Sequence, residues 1–100
     1  MNFCIIGIGS NIEAEINIPK MIEILRTKVE VLQVSKMLKT KPIGILDQPD
    51  FTNGAVKVQT EYDQLELNTI LKNIEDQMGR NRTNPKFGPR CIDLDIAVWN

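Results

Sequence analysis

The sequence has no histidine and only two cysteines, and both scarcities narrow the chemistry open to it. The lack of histidine removes the commonest general base and metal ligand of proteins. Cys4 and Cys91 indicate neither a disulfide framework nor a zinc site, so we interpret both as reduced core residues of a cytoplasmic protein. No apolar run approaches the roughly 20 residues that a membrane helix needs. The start of the sequence has no basic leader, so we expect no secretory signal.

An excess of charge of either sign is also lacking. The sequence has 12 basic and 13 acidic residues, with a net charge of −1. This balance argues against a general nucleic-acid-binding or membrane-surface protein. The length of 100 residues and the hydrophobic content of 42% are typical of one soluble globular domain, which we expect over residues 1–100.

The hydrophobic pattern predicts six elements in the order β-α-β-β-α-β. Apolar runs and alternation indicate strands at about 3–8, 31–40, 51–60 and 91–99. Helical spacing of apolar residues indicates one helix around 18–29 and a second around 67–78, with Asp63 as its N-cap and Gly79 at its end. This order predicts an α+β, ferredoxin-like fold, in which a four-stranded antiparallel sheet carries both helices on one face.

The last predicted strand contains two acids in an otherwise apolar run, Asp93 and Asp95. Because residues two apart on a strand point to the same side, both acids should share one face with Ala97. The opposite face is expected to pack under the helices and consists of Ile92, Leu94, Ile96 and Val98. Two carboxylates so close repel each other unless a cation lies between them, and magnesium shared with a polyphosphate is the natural cation. The alternative is a pair of solvent-facing aspartates.

A basic loop is predicted immediately before this strand, over residues 80–90. The loop contains no acidic residue and four basic ones, which are Arg80, Arg82, Lys86 and Arg90. The planar fork of an arginine matches phosphate oxygens, and phosphoryl transfer depends mostly on positioning and charge stabilisation. Beside the paired acids, the loop therefore indicates anion binding. The alternative is a solvated loop that balances acidic surface elsewhere.

Four segments in order carry a family resemblance: GIGSN at 7–11, KTKPIGILDQPDFTNGAV at 39–56, IEDQMGRNR at 74–82 and FGPRCIDLDI at 87–96. The first segment is weak alone, whereas DQPDFxN followed by GPRxxDLD is highly specific. Together they resemble the hydroxymethyl-dihydropterin pyrophosphokinase family of folate biosynthesis. The resemblance implies transfer of the β,γ-diphosphate of ATP to the hydroxymethyl group of 6-hydroxymethyl-dihydropterin, with AMP as the other product.

The resemblance also implies roles for charged residues around the triphosphate. Asp93 and Asp95 match the ligands of two Mg²⁺ ions that bridge the phosphates. Arg80 and Arg90 match the catalytic arginines that steady the transferring group. The remaining residues assigned to the nucleotide are Glu75, Arg82 and Lys86.

A second group of matching positions is assigned to the pterin. Thr40, Pro42 and Ile43 match a loop whose backbone hydrogen-bonds the ring, Phe51 matches an aromatic that stacks on it, and Asn53 matches an amide that reads its polar edge. Elementary chemistry agrees, since a flat heterocycle binds well to an aromatic face and an amide both donates and accepts. The alternatives are core packing for Phe51 and a turn or strand-edge role for Asn53.

The main departure from the family pattern is length. Family members usually continue past the last strand with a segment that supplies a histidine, basic residues for ATP and a second aromatic for the pterin, whereas this sequence stops at Asn100. We therefore expect a short form of the enzyme, which is the leading hypothesis because the acid and arginine positions are kept. Two alternatives stay open: a weak or inactive homologue that binds nucleotide or pterin, and a ferredoxin-like module that self-associates as a homo-oligomer through its open sheet.

Overall fold

Two helices lie on one face of an antiparallel sheet in the computed structural model, which describes residues 1–41, 44, 47–79 and 91–100. The elements and their bounds are β1 Asn2–Ser10, α1 Ala14–Arg26, β2 Glu30–Val34, β3 Leu38–Thr40, β4 Phe51–Thr60, α2 Gln64–Gln77 and β5 Asp93–Trp99. This order confirms the predicted β-α-β-β-α-β plan, with the second predicted strand divided into β2 and β3. No helix within the described ranges is long and apolar enough to cross a membrane.

The sheet has the strand order β2-β4-β1-β5, and β3 pairs with β4 further along. Every pairing is antiparallel. The first and third predicted strands, β1 and β4, are therefore central, and the last strand lies at an edge. This arrangement confirms the ferredoxin-like α+β class.

The core lies between the helices and one face of the sheet. Alternate residues of β1 point into it, and Cys4, Ile6 and Ile8 are each at most 3% exposed. The apolar stripes of the two helices cover them with Ile18, Met21, Leu25, Leu67, Leu71 and Ile74. Burial also raises the pKa of the Cys4 thiol, which agrees with its interpretation as a reduced core residue. Neither of the two helices in the described part of the chain covers the opposite face of the sheet.

Both predicted ends of α2 are confirmed. The Asp63 carboxylate accepts a hydrogen bond from the Glu66 N–H at 2.7 Å, and the Glu66 carboxylate accepts one from the Asp63 N–H at 3.0 Å. This capping box satisfies two amides at the helix start that have no partner within the helix. At the other end, Gly79 adopts φ +87, a left-handed conformation that glycine tolerates best.

The second predicted strand is interrupted at Ser35, where the prediction of one continuous strand over 31–40 is wrong. The Ser35 N–H donates to the Ala55 carbonyl, while the Ser35 hydroxyl oxygen accepts from the Ala55 N–H at 2.8 Å. A side chain thus replaces a backbone acceptor, and the strand leaves the regular ladder. Met37 then packs against Gly54, which has no side chain to oppose it.

A bulge changes the face of the last residues of β5. Its register with β1 shifts between Ile5 and Ile6, where β5 carries one extra residue, Ala97. Val98 consequently lies opposite Ile5 on the open face and is 52% exposed, so its predicted place in the core is wrong. Trp99 is turned to the other side and packs against the core.

Candidate functional site

The paired acids lie on the open face of the sheet, away from the helices. Asp93 is opposite Gly9 and Asp95 is opposite Gly7 in the pairing of β5 with β1. Directly opposed residues of an antiparallel pair point to the same side, and the intervening Ile8 points into the core. The side chain of Asp95 is 70% exposed. The period-two argument from the sequence thus places both acids correctly.

Each acid belongs to a row of three residues that crosses the sheet. The first row is Asn53–Gly9–Asp93, and the second is Ala55–Gly7–Asp95. Since neighbouring strands are about 4.8 Å apart, the backbones of Asn53 and Asp93 are separated by roughly 10 Å. Between them lies a cavity of about 290 Å³. Its lining consists of Gly7, Ile8, Gly9, Asn53, Gly54, Asp93 and Asp95.

The floor of this cavity is bare backbone because the middle residue of each row is glycine. The positive-φ glycines among the described residues are Gly44 and Gly79, so the backbone at Gly7 and Gly9 does not itself demand glycine. Space is limited at Gly9, where a Cβ atom would lie 3.2 Å from Asn53 Oδ1 and 3.8 Å from Asp93 Cβ. At Gly7 the nearest atom to a Cβ would be the Asp95 carbonyl oxygen, at 3.7 Å. Gly9 therefore keeps the cavity open between the amide and the acid.

Three residues assigned to the pterin meet beside the first row. Asn53 Nδ2 donates to Thr40 Oγ1 at 2.5 Å, which holds the amide in one orientation. Phe51 is opposite Thr40 at the start of β4, and it shares the open face with Asn53 because they are two residues apart. Phe51 is half-buried. An aromatic ring, a hydroxyl and an amide are thus gathered on one side of the cavity.

The motif GSN at the end of β1 anchors the two chain segments that border the cavity. Ser10 is fully buried, and its hydroxyl donates to the Cys91 carbonyl at 2.6 Å, just before β5. Asn11 is 4% exposed, and its Nδ2 donates to Gln48 Oε1 at 2.8 Å and to the Pro49 carbonyl at 3.0 Å. Sequence reasoning included these residues in the motif GIGSN, which is weak alone. Their role as anchors depends on contacts with residues 37 to 81 positions away in the chain.

Glu75 lies on the helix side of β5 rather than over the cavity. Its side chain is fully buried, and Oε2 accepts a hydrogen bond from the Leu94 N–H at 2.7 Å. Lys72, one helical turn earlier, donates to the Leu94 carbonyl at 3.1 Å and lies 3.4 Å from Asp95 Oδ1. Sequence reasoning missed Lys72. Its spacing of three residues from Glu75 on α2 is the signal that places both side chains on one surface of the helix.

Six of the predicted site residues fall outside the part of the chain that the structure describes. They are the basic residues Arg80, Arg82, Lys86 and Arg90 and the loop residues Pro42 and Ile43. Their roles stay predictions.

The acid pair fits part of a magnesium shell. Within the described ranges, no cluster of three or more histidine, cysteine or acidic side chains is arranged to hold a metal ion. Asp93 and Asp95 therefore offer hard carboxylate oxygens without completing a shell of protein ligands. Magnesium suits such a site because it usually keeps several waters and binds through one or two carboxylates together with substrate phosphates.

A larger cleft of about 750 Å³ lies at the other end of the sheet. It is lined by Arg26, Lys28, Glu30, Glu61 and Tyr62, among others. Its charged side chains are two basic ones, Arg26 and Lys28, and two acidic ones, Glu30 and Glu61, and the described part of its lining contains no glycine. Chemistry, rather than size, therefore favours the cavity beside Asp93 and Asp95.

The fold and this cavity define a class of protein: a ferredoxin-like α+β domain whose open sheet face carries two acids, an amide and a glycine floor around one cavity. A comparison with protein-family models matches residues 5–100 to 7,8-dihydro-6-hydroxymethylpterin-pyrophosphokinase (HPPK). Since this match spans nearly the whole chain, the chain belongs to the HPPK family.

Individual relatives agree with this assignment. A 2-amino-4-hydroxy-6-hydroxymethyldihydropteridine pyrophosphokinase of Bacillus subtilis is 36% identical over 102 residues, covering 99% of this chain and 60% of that protein. A protein of the same name from Haemophilus influenzae is 37% identical over 73% of this chain and 45% of its own length. The folic acid synthesis protein fol1 of Schizosaccharomyces pombe is 44% identical over 71% of this chain and 10% of its own length. The chain thus spans less than two thirds of the length of each of these relatives.

Proposed function

We propose that the protein transfers diphosphate from ATP to the hydroxymethyl group of 6-hydroxymethyl-dihydropterin, releasing AMP. The main support is the placement of Asp93, Asp95 and Asn53 around one open-face cavity in a chain whose family is named for this reaction. The names of the Bacillus and Haemophilus relatives agree. A cytoplasmic location fits the substrates, which are small and water-soluble.

The acids would hold Mg²⁺ together with the triphosphate. Asp93 and Asp95 project from the same face, two residues apart, toward space that is open to solvent. When bound, Mg²⁺ would neutralise negative charge on the phosphate oxygens of ATP. The two carboxylates orient the triphosphate by fixing where that charge can be neutralised. We expect two ions with ATP, as the family resemblance implies.

The pterin would lie on the amide side of the cavity. Asn53 contributes hydrogen-bonding atoms, and Phe51 offers a ring face on the same side of the sheet. The roughly 10 Å between the backbones of Asn53 and Asp93 leaves room for the hydroxymethyl group to approach the triphosphate. Thr40, Pro42 and Ile43 would complete the pterin wall through their backbone.

The basic residues that precede β5 would bind the nucleotide. Arg80 and Arg90 are proposed to steady the transferring diphosphate, and Arg82 and Lys86 to contact ATP, since their charges complement phosphate oxygens. A direct contact of Glu75 with the nucleotide is also proposed. In the structure the Glu75 carboxylate accepts a hydrogen bond from the Leu94 N–H.

The reaction is tested by following AMP release from ATP with the purified protein. We expect AMP only when both the dihydropterin and Mg²⁺ are present, because the acid pair alone does not bind the triphosphate productively. AMP at the level of the metal-free control would exclude the enzyme and leave the binding homologue. Light scattering of the same preparation decides whether a homo-oligomer forms.

The metal role is tested by Asp95→Ala in calorimetry with a non-hydrolysable ATP analogue and Mg²⁺. Loss of a direct ligand should weaken Mg²⁺-dependent nucleotide binding by at least roughly tenfold, since loss of even an indirect partner of a metal site commonly costs that much. Glu23→Ala removes an equal charge from the exposed surface of α1 and is the control. Unchanged binding by Asp95→Ala would show that Asp95 is not a metal ligand.

A further inference from the structure

The outer edge of β5 is held by two side chains of α2, which we call the edge clamp: Lys72 and Glu75. The N–H of Leu94 donates to Glu75 Oε2 at 2.7 Å, and the Leu94 carbonyl accepts from Lys72 Nζ at 3.1 Å. Both polar backbone groups of Leu94 are thereby satisfied on the side away from β1. Because Leu94 lies between the two acids in sequence, the edge clamp acts on the part of the strand that carries them.

The buried carboxylate of Glu75 shows that the edge clamp is a built feature rather than a surface contact. Its side chain is 0% exposed, and a buried charge is costly unless it is paired and hydrogen-bonded. The Leu94 amide and the Lys72 ammonium, 3.6 Å away, provide such partners. Edge strands of sheets otherwise present unpaired backbone groups, which α2 covers here.

The ammonium of Lys72 is shared between this buried acid and the candidate metal site. Nζ lies 3.6 Å from Glu75 Oε2 and 3.4 Å from Asp95 Oδ1, while the Lys72 side chain is 35% exposed. One positive charge therefore partly neutralises Asp95 from the side opposite to the cavity. A free divalent cation approaching Asp95 meets repulsion from this charge, whereas a polyphosphate that accompanies the cation is attracted by it.

We propose that Lys72 is a positioning residue that lowers the affinity of the acid pair for a free divalent cation and so favours a cation that arrives with a polyphosphate. This inference rests on the proposed metal role of Asp93 and Asp95. Glu75 acts in the opposite sense, because it draws the Lys72 ammonium away from Asp95. The pair thus sets how much negative charge the strand presents to a metal.

The test measures binding of Mn²⁺ alone, by electron paramagnetic resonance, to Lys72→Met. Removal of one charge about 5 Å from the metal should raise the affinity for free Mn²⁺ about fivefold, given screening at ordinary ionic strength. Lys72→Arg keeps the charge and should bind like the parent. Lys28→Met, at the opposite end of the sheet, removes an equal charge and should also leave the affinity unchanged. The gain in Mn²⁺ affinity caused by a non-hydrolysable ATP analogue should be smaller in Lys72→Met than in the parent.

Glu75→Gln should change the affinity for free Mn²⁺ in the opposite direction to Lys72→Met. The amide oxygen can still accept from the Leu94 N–H, but the ammonium of Lys72 is no longer drawn from Asp95, so the Mn²⁺ affinity should fall. Circular dichroism checks that each variant is folded, and a misfolded Glu75→Gln leaves the decision to Lys72→Met and Lys72→Arg.

The outcomes separate this inference from the proposed function. If Asp95→Ala abolishes Mn²⁺ binding while Lys72→Met binds no better than the parent, the metal role stands and the inference is wrong. If Asp95→Ala binds Mn²⁺ like the parent, the acid pair is not the metal site and both proposals fail.

Discussion

Gly9→Ala adds one methyl group to the middle of the Asn53–Gly9–Asp93 row and tests whether the cavity binds the substrates. The new Cβ would lie 3.2 Å from Asn53 Oδ1, so the amide must move by a few tenths of an ångström or rotate away. Because the φ of Gly9 is not positive, the substitution introduces no backbone strain that would confuse the result.

The size of the effect follows from the space and the hydrogen bond that are lost. A methyl group is about as large as a water molecule, which takes up roughly 30 Å³ in the liquid, or about a tenth of the 290 Å³ cavity. Displacement of the Asn53 amide costs about one hydrogen bond to the ligand, near 1 kcal/mol, which corresponds to a roughly fivefold loss of affinity. Folding stability should be nearly unchanged, since alanine is favoured over glycine within a strand by about 0.5–1 kcal/mol and the tight contact offsets this gain.

Calorimetry with the dihydropterin in the presence of an ATP analogue and Mg²⁺ measures this loss. Gly7→Ala is the matched comparison, because its Cβ meets only ordinary contact at 3.7 Å and does not reach Asn53, so its effect should be smaller. Equal affinities of Gly9→Ala and the parent, with both proteins folded, would refute the assignment of the cavity as the pterin site.

Three further predictions concern stability, measured by urea unfolding. Asp63→Ala breaks the capping box of α2 and should lower the free energy of unfolding by about 1 kcal/mol, whereas Asp63→Asn should keep most of it; equal losses would contradict the capping role. Met21→Ala leaves a cavity at a fully buried position and should cost about 2–5 kcal/mol, and a loss below 1 kcal/mol would show that the core closes around it. Because the pKa of the Cys4 thiol is raised by folding, this thiol ionises at a lower pH in the unfolded chain than in the folded protein. The free energy of unfolding should therefore keep the full contribution of Cys4 below about pH 9.0, the ordinary pKa, and decrease as the pH rises above that value. Cys4→Ala should lose that alkaline component, and an unchanged alkaline slope would assign it to other groups.

Most of the fold could be predicted from local patterns in the sequence. Alternation in β1 and β4, the helical stripe of α2 and the Asp63 cap are each encoded within a few neighbouring residues, so they predict elements directly. The order of the elements then selects the ferredoxin-like topology. The break at Ser35 and the bulge at Ala97 were not predicted because each depends on the partner strand. At Ser35 the hydroxyl oxygen accepts a hydrogen bond from the Ala55 N–H, and at Ala97 the register of β5 shifts against Ile5.

For the candidate site, the sequence by itself determined which residue types are present and that Asp93 and Asp95 share a face, because the period of a strand is a local property. Only the tertiary structure decided what stands opposite them. The register of three strands placed Gly9 between Asn53 and Asp93, and the packing of α2 against an edge brought Lys72 to Asp95. These residues are tens of positions apart in the chain. The burial of apolar faces fixes the register of the strands and the docking of the helices. The polar groups are brought together as a consequence, and they do not themselves determine this packing.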